Sequence, residues 1–487
     1  MSIKNDINKI LLKKFLHLEI SVVKYSEVQT DNESKRIDSE YFKQEYLENE
    51  RIIKSRDYTK LLNVCYFIRN GDDCRDYEEN GIKYIRTGDI KEYGLDLNNC
   101  ATIRNDFISE IKLSIGDLLI TRKGNYGKSQ VINKKEILKS IISSEIFLIK
   151  LKNINPYYAD TFLKSKFGQS QFERNIHGVS NFSVTQEALL NFLIPIFPKE
   201  FQLEIETMVK DSHKALENSK KLYKEAEKIL YEALGLDAEN PLESILSFRE
   251  KNKVIHNHLK RYKRLNISIR TYKESYLKTG RLDAEYYQEK FRKNEILIKN
   301  FAHAKLSDLV NIQKSIEPGS EAYQDDGIEF IRVANLGKFE LSKSYIYLDK
   351  IKFINELERL YPQKDMILLT KDGSIGIAYC VPENLNCITS AAILHLKIKD
   401  KNIILPQVLT LIINSIIGQL QAQRDSGGAI ISHWTISEIE NILIPLLDLK
   451  TQRKIEAKVK QSFELRDKSK ELLENAKVKI EEAIIDS

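Results

Sequence analysis

The feature that most constrains this chain is an internal repeat that spans nearly its whole length. Arg36–Phe42 reads RIDSEYF, and Arg281–Tyr287, 245 residues later, reads RLDAEYY. Three more segments recur in the same order: GIKYIRTGDI at 81 and GIEFIRVANL at 327, TRKGNYG at 121 and TKDGSIG at 370, LIPI at 193 and LIPL at 443. Solenoid repeats have periods of only ~20–50 residues. The long period instead predicts two similar domains with pseudo-two-fold symmetry, which suits a two-fold symmetric partner such as duplex DNA.

Length and composition indicate a multidomain globular protein. A chain of 487 residues is too long for one hydrophobic core, so we expect about two to four domains. The hydrophobic fraction of 42% and the charged fraction of 30% are typical of soluble proteins. The net charge of +6 indicates nucleic-acid binding only if the positive charge is concentrated on one face.

Cysteine usage and hydropathy predict a cytoplasmic location. The five cysteines include no CxxC pair, which argues against a disulfide framework or a zinc ribbon and fits a reducing compartment. No segment has the ~18 uninterrupted apolar residues of a membrane helix, and the N-terminus lacks the apolar core of a signal peptide.

Each copy of the repeat divides into three parts. An entry segment, Leu18–Glu27 or Leu265–Glu274, alternates in polarity and predicts a strand. RIDSEYF or RLDAEYY then opens a short polar helix, and β-rich runs separated by glycine turns follow. These runs lie at 82–86, 117–121, 141–151, 328–333, 366–370 and 388–398, with helical patterns at 157–174 and 405–424. A long helix begins after LIPI or LIPL.

The predicted fold class is mixed α/β (α+β), with two similar domains joined by two long antiparallel coiled-coil helices. We expect an entry segment at 1–35, a first domain at 36–198, a long helix at 199–235, a basic link and second entry segment at 236–280, a second domain at 281–448 and a second long helix at 449–487. The basic stretch Arg249–Arg270 in the link either contacts phosphates or forms a solvated helical face.

The two long helices carry matching apolar positions. Phe201–Leu234 and Thr451–Ile485 superpose at an offset of 250 and form a broken heptad seam. Such a helix is marginal alone and needs a partner. The simplest partner is the other copy's helix, packed antiparallel as a spacer ~50 Å long; the alternative is that each helix packs on its own domain. The residues assigned to partner binding are Ile205, Val209, Leu222, Leu230, Ile455, Val459, Leu472 and Ile480.

No catalytic or metal-binding constellation stands out in the sequence. Gly124–Ser129 (GNYGKS) ends like a phosphate-binding P-loop, but the motif needs glycine where Arg122 stands. His256–His258 spells HNH, whereas a nuclease of that name uses dispersed residues. Asn155–Tyr157 lacks the second proline of the adenine-methyltransferase motif. HExxH, GxSxG and metal-spaced Cys/His clusters are also missing, which favours a binding and assembly role.

The duplicated glycine loops carry the residue types that read DNA. Thr121–Lys128 offers three cations, an amide and an aromatic ring on a turn whose two glycines let the backbone approach a ligand. Arginine and lysine donate to phosphates or guanine, and asparagine can pair with adenine. Thr370–Gly376 keeps the frame with different side chains, as expected of two readers of different short sequences. The alternative is a plain β-hairpin whose glycines serve the turn.

Two further duplicated segments complete the candidate DNA-binding set. RNIHGVSNFSV at 174–184 aligns with RDSGGAIISHW at 424–434, and both mix arginine, glycine, hydroxyls and an aromatic ring. Trp434, the only tryptophan, faces DNA or belongs to the core. A third pair lies at two strand ends. The candidate residues are Arg86, Thr87, Arg122, Lys123, Asn125, Tyr126, Lys128, Arg174, Ser180, Asn181, Arg332, Asn335, Lys371, Ser374, Arg424, Ser432 and His433.

In these features the chain resembles the specificity subunit of type I restriction–modification systems, of the RLDAEYY-type subgroup. The resemblance rests on RIDSEYF and RLDAEYY, GDLLITRKGNYG and KDMILLTKDGSIG, and LIPI and LIPL. It also rests on an early Gln-x-x-Ile-Glu in each long helix, at Gln202–Glu206 and Gln452–Glu456. Together these motifs span nearly the whole chain.

The resemblance implies two target-recognition domains, each reading one half of a split double-stranded DNA site. It implies that the helices dock two adenine-N6 methyltransferase subunits, which restriction/translocase subunits join. S-adenosylmethionine, ATP and Mg²⁺ would then belong to the partners, and this chain would hold no cofactor, metal or catalytic residue.

Two other functions stay open at this stage. One is a subunit that also cuts or methylates DNA, as in type IIB-like systems; the missing catalytic motifs count against it. The other is a coiled-coil assembly scaffold without a DNA role. The recognised bases are not predicted, because readout depends on loop geometry and DNA deformation as well as on residue type.

Overall fold

The computed structural model of the chain describes residues 7, 10–11, 13–15, 20–30, 35–92, 94–97, 99–176, 182–248, 270–426 and 433–486. The chain divides into two units. The first unit contains Met1–Glu217 and Arg466–Ser487, and the second contains Asn218–Leu465.

Most of the described α-helices occur in corresponding places in the two halves of the sequence; Tyr25–Thr30, Pro241–Ser247, Tyr276–Thr279 and Ile354–Leu360 are the described helices without such a counterpart. In chain order they are α1 (Tyr25–Thr30), α2 (Gln44–Lys54), α3 (Leu61–Val64), α4 (Pro156–Lys164), α5 (Lys166–Arg174), α6 (Gln186–Leu190), α7 (Lys199–Ala233), α8 (Pro241–Ser247), α9 (Tyr276–Thr279), α10 (Glu289–Lys299), α11 (Leu306–Leu309), α12 (Ile354–Leu360), α13 (Pro406–Asn414), α14 (Ile416–Asp425), α15 (Ile436–Glu440) and α16 (Leu449–Asp486).

The described strands are short, as the glycine-separated β-rich runs predict. They are β1 (Tyr58–Lys60), β2 (Cys65–Asn70), β3 (Tyr77–Ile85), β4 (Ile90–Lys91), β5 (Gly94–Leu95), β6 (Ala101–Ile103), β7 (Leu118–Thr121), β8 (Ser129–Val131), β9 (Ile141–Ile142), β10 (Ile146–Leu151), β11 (Leu193–Pro195), β12 (His303–Lys305), β13 (Val310–Lys314), β14 (Tyr323–Gln324), β15 (Ile328–Ile331), β16 (Tyr347–Leu348), β17 (Ile367–Thr370), β18 (Ala378–Cys380), β19 (Cys387–Thr389), β20 (Ile393–Ile398) and β21 (Leu443–Pro445).

The first unit is built around a four-stranded antiparallel sheet with the order β2-β10-β7-β8. Successive side chains of a strand point to opposite faces, and both faces of this sheet are covered. Leu118 and Ile120 pack with α4 and α5 in one core, whereas Leu119 and Leu148 pack in a second core on the other face. Burial on both faces explains why these runs are continuously apolar rather than alternating.

Smaller sheets complete the first unit. β3 lies between β6 and β9 and pairs parallel with β9. β4 pairs with β5, and the LIPI strand β11 pairs antiparallel with β1. This last pair joins the end of the domain to its beginning, immediately before α7 starts.

The second unit repeats this architecture. Its main sheet has the order β13-β20-β17-β18, and the LIPL strand β21 pairs with β12. β15 pairs parallel with β19, as β3 does with β9. The prediction of two similar mixed α/β domains on one chain is therefore confirmed.

The long helices α7 and α16 pack antiparallel within each unit. In the first unit Ser212 Oγ donates to Ser469 O at 2.8 Å, and in the second Ser462 Oγ donates to Ser219 O at 2.8 Å. All four serines are buried, with at most 1% exposure. Their small side chains let the two backbones approach closely, and the antiparallel prediction is confirmed in both units.

The apolar seam of these helices is used inside the chain. Ile205, Val209 and Ile480 lie in the core of the first unit. Leu230, Ile455 and Val459 lie in the core of the second. Leu222 and Leu472 are half-buried. Both readings of the seam therefore hold, since each helix packs on its domain and on the other helix. Docking of another protein onto the helices stays a prediction. It would use the helix faces outside the apolar seam.

The strand predicted for the entry segments is wrong where the structure describes them. Residues 20–24 have no regular structure, and Tyr25–Thr30 forms helix α1. An isolated strand leaves its backbone groups unpaired, and no described strand pairs with 20–24. In the second copy residues 272–275 form turns. Almost all of the basic stretch 249–270 lies outside the described residues.

Among the helices that the structure describes, none is both long and apolar enough to cross a membrane.

Candidate nucleic-acid interface

The RIDSEYF motif forms an arginine–tyrosine cluster that anchors the segment before the second duplicated loop. Asp38 accepts from Arg36 and from Tyr41 N, which caps the turn Ser39–Phe42. The guanidinium groups of Arg36 and Arg174 lie 5.2 and 4.2 Å from the Tyr41 ring centroid. Arg174 also bonds Tyr41 O and Glu50. Cation–π contacts and a partly buried ion pair hold this cluster together.

RLDAEYY builds the same cluster in the second unit. Arg281 bonds Asp283 at 2.7 Å, and the Tyr286 ring lies 4.7 Å from Arg281 and 5.5 Å from Arg424. Arg424 pairs with Glu295 at 3.0 Å. The guanidinium groups of both candidate arginines, Arg174 and Arg424, are therefore engaged inside their domains. DNA contact by either arginine stays a prediction.

The first glycine loop is locked by a buried threonine. Thr121 Oγ1 donates to Asn125 O at 2.6 Å and accepts from Lys128 N, and Gly127 N donates to Thr121 O at 3.0 Å. Gln169 Nε2 on α5 donates to Gly127 O at 3.1 Å. Gly124 and Gly127 have φ of 68° and 76°, a conformation that favours glycine. The frame leaves Lys123 and Asn125 exposed at the tip.

The second glycine loop has the same lock. Thr370 Oγ1 donates to Ser374 O at 2.5 Å and accepts from Ile377 N at 3.0 Å. Gly376 N donates to Thr370 O, and Gln419 Nε2 donates to Gly376 O at 2.7 Å. Both loops are therefore more than hairpin turns, because each is fixed by a threonine within it and by a glutamine from a helix.

The structure brings the two duplicated loops of each unit together. Gly124 N donates to Phe182 O and Val184 N donates to Arg122 O, and the rings of Tyr126 and Phe182 meet edge to face at 6.2 Å. In the second unit Trp434 N donates to Lys371 O at 2.8 Å. Trp434 is 1% exposed and belongs to the core, so of its two readings the core one is correct.

The third duplicated pair lies next to the same loops. Ser143 N donates to Ile85 O, directly before Arg86, and Arg122 N donates to Glu145 O in the same turn. The second unit repeats this through Ser390 N to Ile331 O and Lys371 N to Ala392 O. Each unit therefore gathers three duplicated segments, distant in sequence, around one turn between two strands.

Side-chain placement within the third pair is uneven. Arg86 and Arg332 are exposed, whereas Thr87 and Asn335 are half-buried. Asn335 Oδ1 accepts from Arg332 N at 3.1 Å and closes the turn Val333–Asn335. Asp89 Oδ2 does the same for Arg86 N at 2.8 Å. Arg86 and Arg332 are the members of this pair that face solvent.

The two interfaces differ in charge. The first loop carries Arg122, Lys123 and Lys128, and the Nε of Arg122 is buried without a hydrogen-bond partner among the described residues. In the second loop Asp372 pairs with Lys371 and bonds His433 Nδ1 at 2.8 Å. Burial opposes ionisation of Asp372, but hydrogen bonds from Lys371 and His433 hold its pKa below the usual value. In the second loop the negative charge of Asp372 thus largely cancels the positive charge of Lys371.

Three candidate residues, Ser180, Asn181 and Ser432, lie outside the described residues. Sequence reasoning missed the loop locks, Thr121 with Gln169 and Thr370 with Gln419. Their signal was identity between the two copies at offsets of 249 and 250. It also missed the reason for the Gln-x-x-Ile-Glu motif: Gln202 Oε1 accepts from Asn155 N, and Gln452 Oε1 accepts from Leu405 N, which ties each long helix to its domain.

The described residues contain no group of three or more His, Cys, Asp or Glu side chains placed to hold a metal ion.

Comparison with known proteins finds related sequences and structures. Residues 298–478 match the family model of the type I restriction modification DNA specificity domain. The type I restriction enzyme EcoBI specificity subunit of Escherichia coli is 25% identical over 213 residues, 42% of this chain and 44% of that subunit. The alignment thus spans less than half of that subunit's length.

Solved structures with similarity to the chain include an S subunit and an HsdS subunit. The type I restriction-modification S subunit from M. genitalium is 14% identical, covering 88% of this chain and 96% of that chain with a TM-score of 0.41. The HsdS subunit from Thermoanaerobacter tengcongensis is 14% identical over the same shares, with a TM-score of 0.28.

Proposed function

We propose that this chain, whose residues 298–478 match the family model of the type I restriction modification DNA specificity domain, is a sequence-specific DNA-binding subunit of a type I restriction–modification complex. Each unit reads one half of a bipartite double-stranded DNA site. The observation that carries the proposal is the pair of locked glycine loops, which share a backbone frame and differ in the side chains that they display.

The chemistry of the exposed residues suits DNA. Lys123 and Asn125 in the first unit and Ser374 in the second stand at loop tips, and the exposed His433 lies beside the second loop, where it pairs with Asp372. Arg86 and Arg332 lie beside these loops. Phosphate contacts position a protein on the duplex and base contacts specify the sequence, and these residues include donors for both. Because the two sets differ, the two half-sites are expected to differ in sequence.

The long helices are proposed to dock two adenine-N6 methyltransferase subunits, to which restriction/translocase subunits attach. Many exposed charged residues of α7 and α16, such as Lys214 and Glu464, are available for this because the apolar seam is occupied within the chain. The chain itself is proposed to be non-catalytic and free of cofactors, with S-adenosylmethionine, ATP and Mg²⁺ on the partners. A cytoplasmic location follows from this role.

The test is long-read mapping of N6-methyladenine in a host that expresses this chain with its methyltransferase. We expect a split motif with a fixed unread gap that disappears when the gene for this chain is deleted. Replacing residues 45–198 by the equivalent domain of a related subunit should change one half-site and leave the other intact. A methylome unchanged by the deletion would contradict the proposal.

A second experiment examines the loop tip directly. Lys123→Ala should weaken binding of the full chain to duplex DNA and lower the slope of log affinity against log salt by about one, as expected for one lost phosphate contact. Lys135→Ala, which removes an exposed lysine away from the loops, is the matched control. Equal DNA affinity and salt slope for the two variants and the unmodified chain would argue against the assignment of Lys123.

A further inference from the structure

A cavity of about 310 Å³ lies in the first unit, beneath the glycine loop. It is bounded by the turn at 91–92, by β8, by α4 and by the last turns of α16. Pockets that bind small ligands start at roughly this size. Lys128 of the candidate DNA-binding set lines it, whereas the exposed residues Arg86, Lys123 and Asn125 do not.

Two lysines of this cavity lack counter-ions. Lys164 pairs with Asp160 at 2.8 Å, and Lys477 lies 3.6 Å from Glu92. Lys91 and Lys128 also line the cavity, and no described residue forms an ion pair with either of them. Burial lowers the pKa of Lys128, and the neighbouring positive charge of Lys91 lowers it further, while the Glu92 carboxylate offsets only part of this effect. A bound anion would relieve this repulsion.

Two buried polar atoms at the cavity also lack partners. Ser129 is 1% exposed and Asp160 is 2% exposed, yet Ser129 Oγ and Asp160 Oδ1 have no hydrogen bond to any described residue. Buried polar atoms are nearly always satisfied, and an exception requires an explanation such as a bound water, ion or ligand group. Ser129 can donate to an anion, while Asp160 can accept from a hydroxyl that the same ligand carries.

The second unit serves as an internal comparison, because it builds the same scaffold without these charges. Asn414 bonds both the N and the O of Ala378, at 3.0 and 2.7 Å. The ring of Tyr223, at the position of Leu473, packs against Phe339 at 4.8 Å. The positions of Lys128, Ser129, Asp160 and Lys164 are held by Ile377, Ala378, Thr410 and Asn414. The fold therefore does not require the charged set of the first unit.

We propose that this cavity is a binding site for a phosphate group. Lys91 and Lys128 neutralise the anion, Ser129 donates to one of its oxygens, and Asp160 accepts from a hydroxyl of the ligand. A free phosphorylated small molecule and the DNA backbone could each supply the phosphate.

The test is a titration of the full chain with inorganic phosphate, measured by isothermal titration calorimetry. The ionic strength is held constant with chloride as the balancing anion. We expect saturable binding of one phosphate per chain, weakened about tenfold by Lys91→Gln and by Lys128→Gln, since each removes a charge-assisted contact. Lys135→Gln makes the same charge change at an exposed site of the same unit and should bind phosphate normally.

Absence of saturable binding, or binding that neither cavity variant alters, would overturn the proposal. Lys91 is exposed, so Lys91→Gln tests the site even if Lys128→Gln does not fold. Adding duplex DNA to the phosphate-saturated chain then identifies the source. Displacement of phosphate assigns the cavity to the DNA backbone, and retention assigns it to a small molecule; both outcomes support a phosphate site.

Discussion

Each glycine loop contains two glycines that differ in their surroundings. Gly124 and Gly127 both have positive φ. A Cβ on Gly124 would meet no atom within 4 Å, whereas one on Gly127 would lie 3.1 Å from Cγ of the buried Phe172. The first position therefore requires glycine only because of its backbone conformation. The second requires it also because α5 approaches closely.

This difference predicts unequal costs of substitution. Gly124→Ala should lower the free energy of unfolding by about 1 kcal/mol, the cost of a left-handed alanine. Gly127→Ala should lower it by about 1–3 kcal/mol more, because the Phe172 ring must move in a packed core. Chemical denaturation of the two variants measures the difference. Equal costs would mean that the loop moves away from α5 without penalty.

A buried histidine makes stability depend on pH. Burial lowers the pKa of His395 from 6.5 to about 4, and its Nε2 lies 2.9 Å from Thr389 Oγ1. Between these values the unfolded chain binds a proton that the folded chain does not, so stability falls as pH falls. His395 contributes a slope of about 1.4 kcal/mol per pH unit, and His213 in the first unit, whose pKa burial also lowers to about 4, adds a contribution in the same range of pH.

His395→Gln should reduce the slope of the unfolding free energy against pH between 6.5 and 4 by the contribution of His395 and leave that of His213, whatever its effect on absolute stability. His303→Gln, which removes an exposed imidazole from the same unit, should leave the slope unchanged. Denaturant titrations at a series of pH values compare the two. A slope in His395→Gln equal to that of the unmodified chain would assign the effect to other groups.

At the residue scale, sequence reasoning found the loops but not the tasks of all their members. Exposed tips such as Lys123 follow from a glycine-rich turn after an apolar strand. Arg174 and Arg424 have the same residue type as a phosphate contact, but they stack on tyrosines and pair with glutamates. Local sequence does not distinguish the two fates, because the partners Tyr41 and Tyr286 lie more than a hundred residues away.

At the scale of elements, the serines between the long helices set how closely the helices pack. Ser212→Leu should destabilise the first unit by about 1–3 kcal/mol, because a large side chain enters a filled interface. Lys214→Leu, an exposed position on the same helix, should change the unfolding free energy by at most about 0.5 kcal/mol. Urea titration compares the variants, and a small effect of Ser212→Leu would mean that the helices separate easily.

Element prediction succeeded where periodicity is long and failed where it is short. The bounds of α7 and α16 lie within two residues of those predicted, because 35-residue helical patterns leave little ambiguity. The helical patterns at 157–174 and 405–424 each break at a serine, Ser165 or Ser415, with extended backbone. The ten-residue alternation at 18–27 was too short to identify a strand without a partner strand.

At the scale of the whole molecule, the register of the two long helices predicts how they can be lengthened. Seven residues inserted after Ala215 in α7 and seven after Leu465 in α16 preserve both serine pairs and the buried faces. Seven helical residues add ~10 Å, about three base pairs of duplex. We expect the unread gap to grow by about that amount while both half-sites are kept, as read by N6-methyladenine mapping. An unchanged gap would show that the length of these helices does not set the spacing between the two half-sites.

The serine pairs also predict what happens when the duplicated gene is truncated to a single copy of the repeat. Ser212 and Ser219 occupy the positions that Ser462 and Ser469 occupy in the other copy, so a helix of one copy presents the same surface as its neighbour. A frameshift near codon 235 would leave a half-length product whose α7 is complementary to itself. Two such products could pair, with Ser212 of each facing Ser219 of the other. We expect a chain of residues 1–235 to form a dimer by light scattering, and Ser212→Leu to reduce it to a monomer. After losing half its length, the gene would still encode a protein that forms a symmetric dimer suited to a palindromic DNA site.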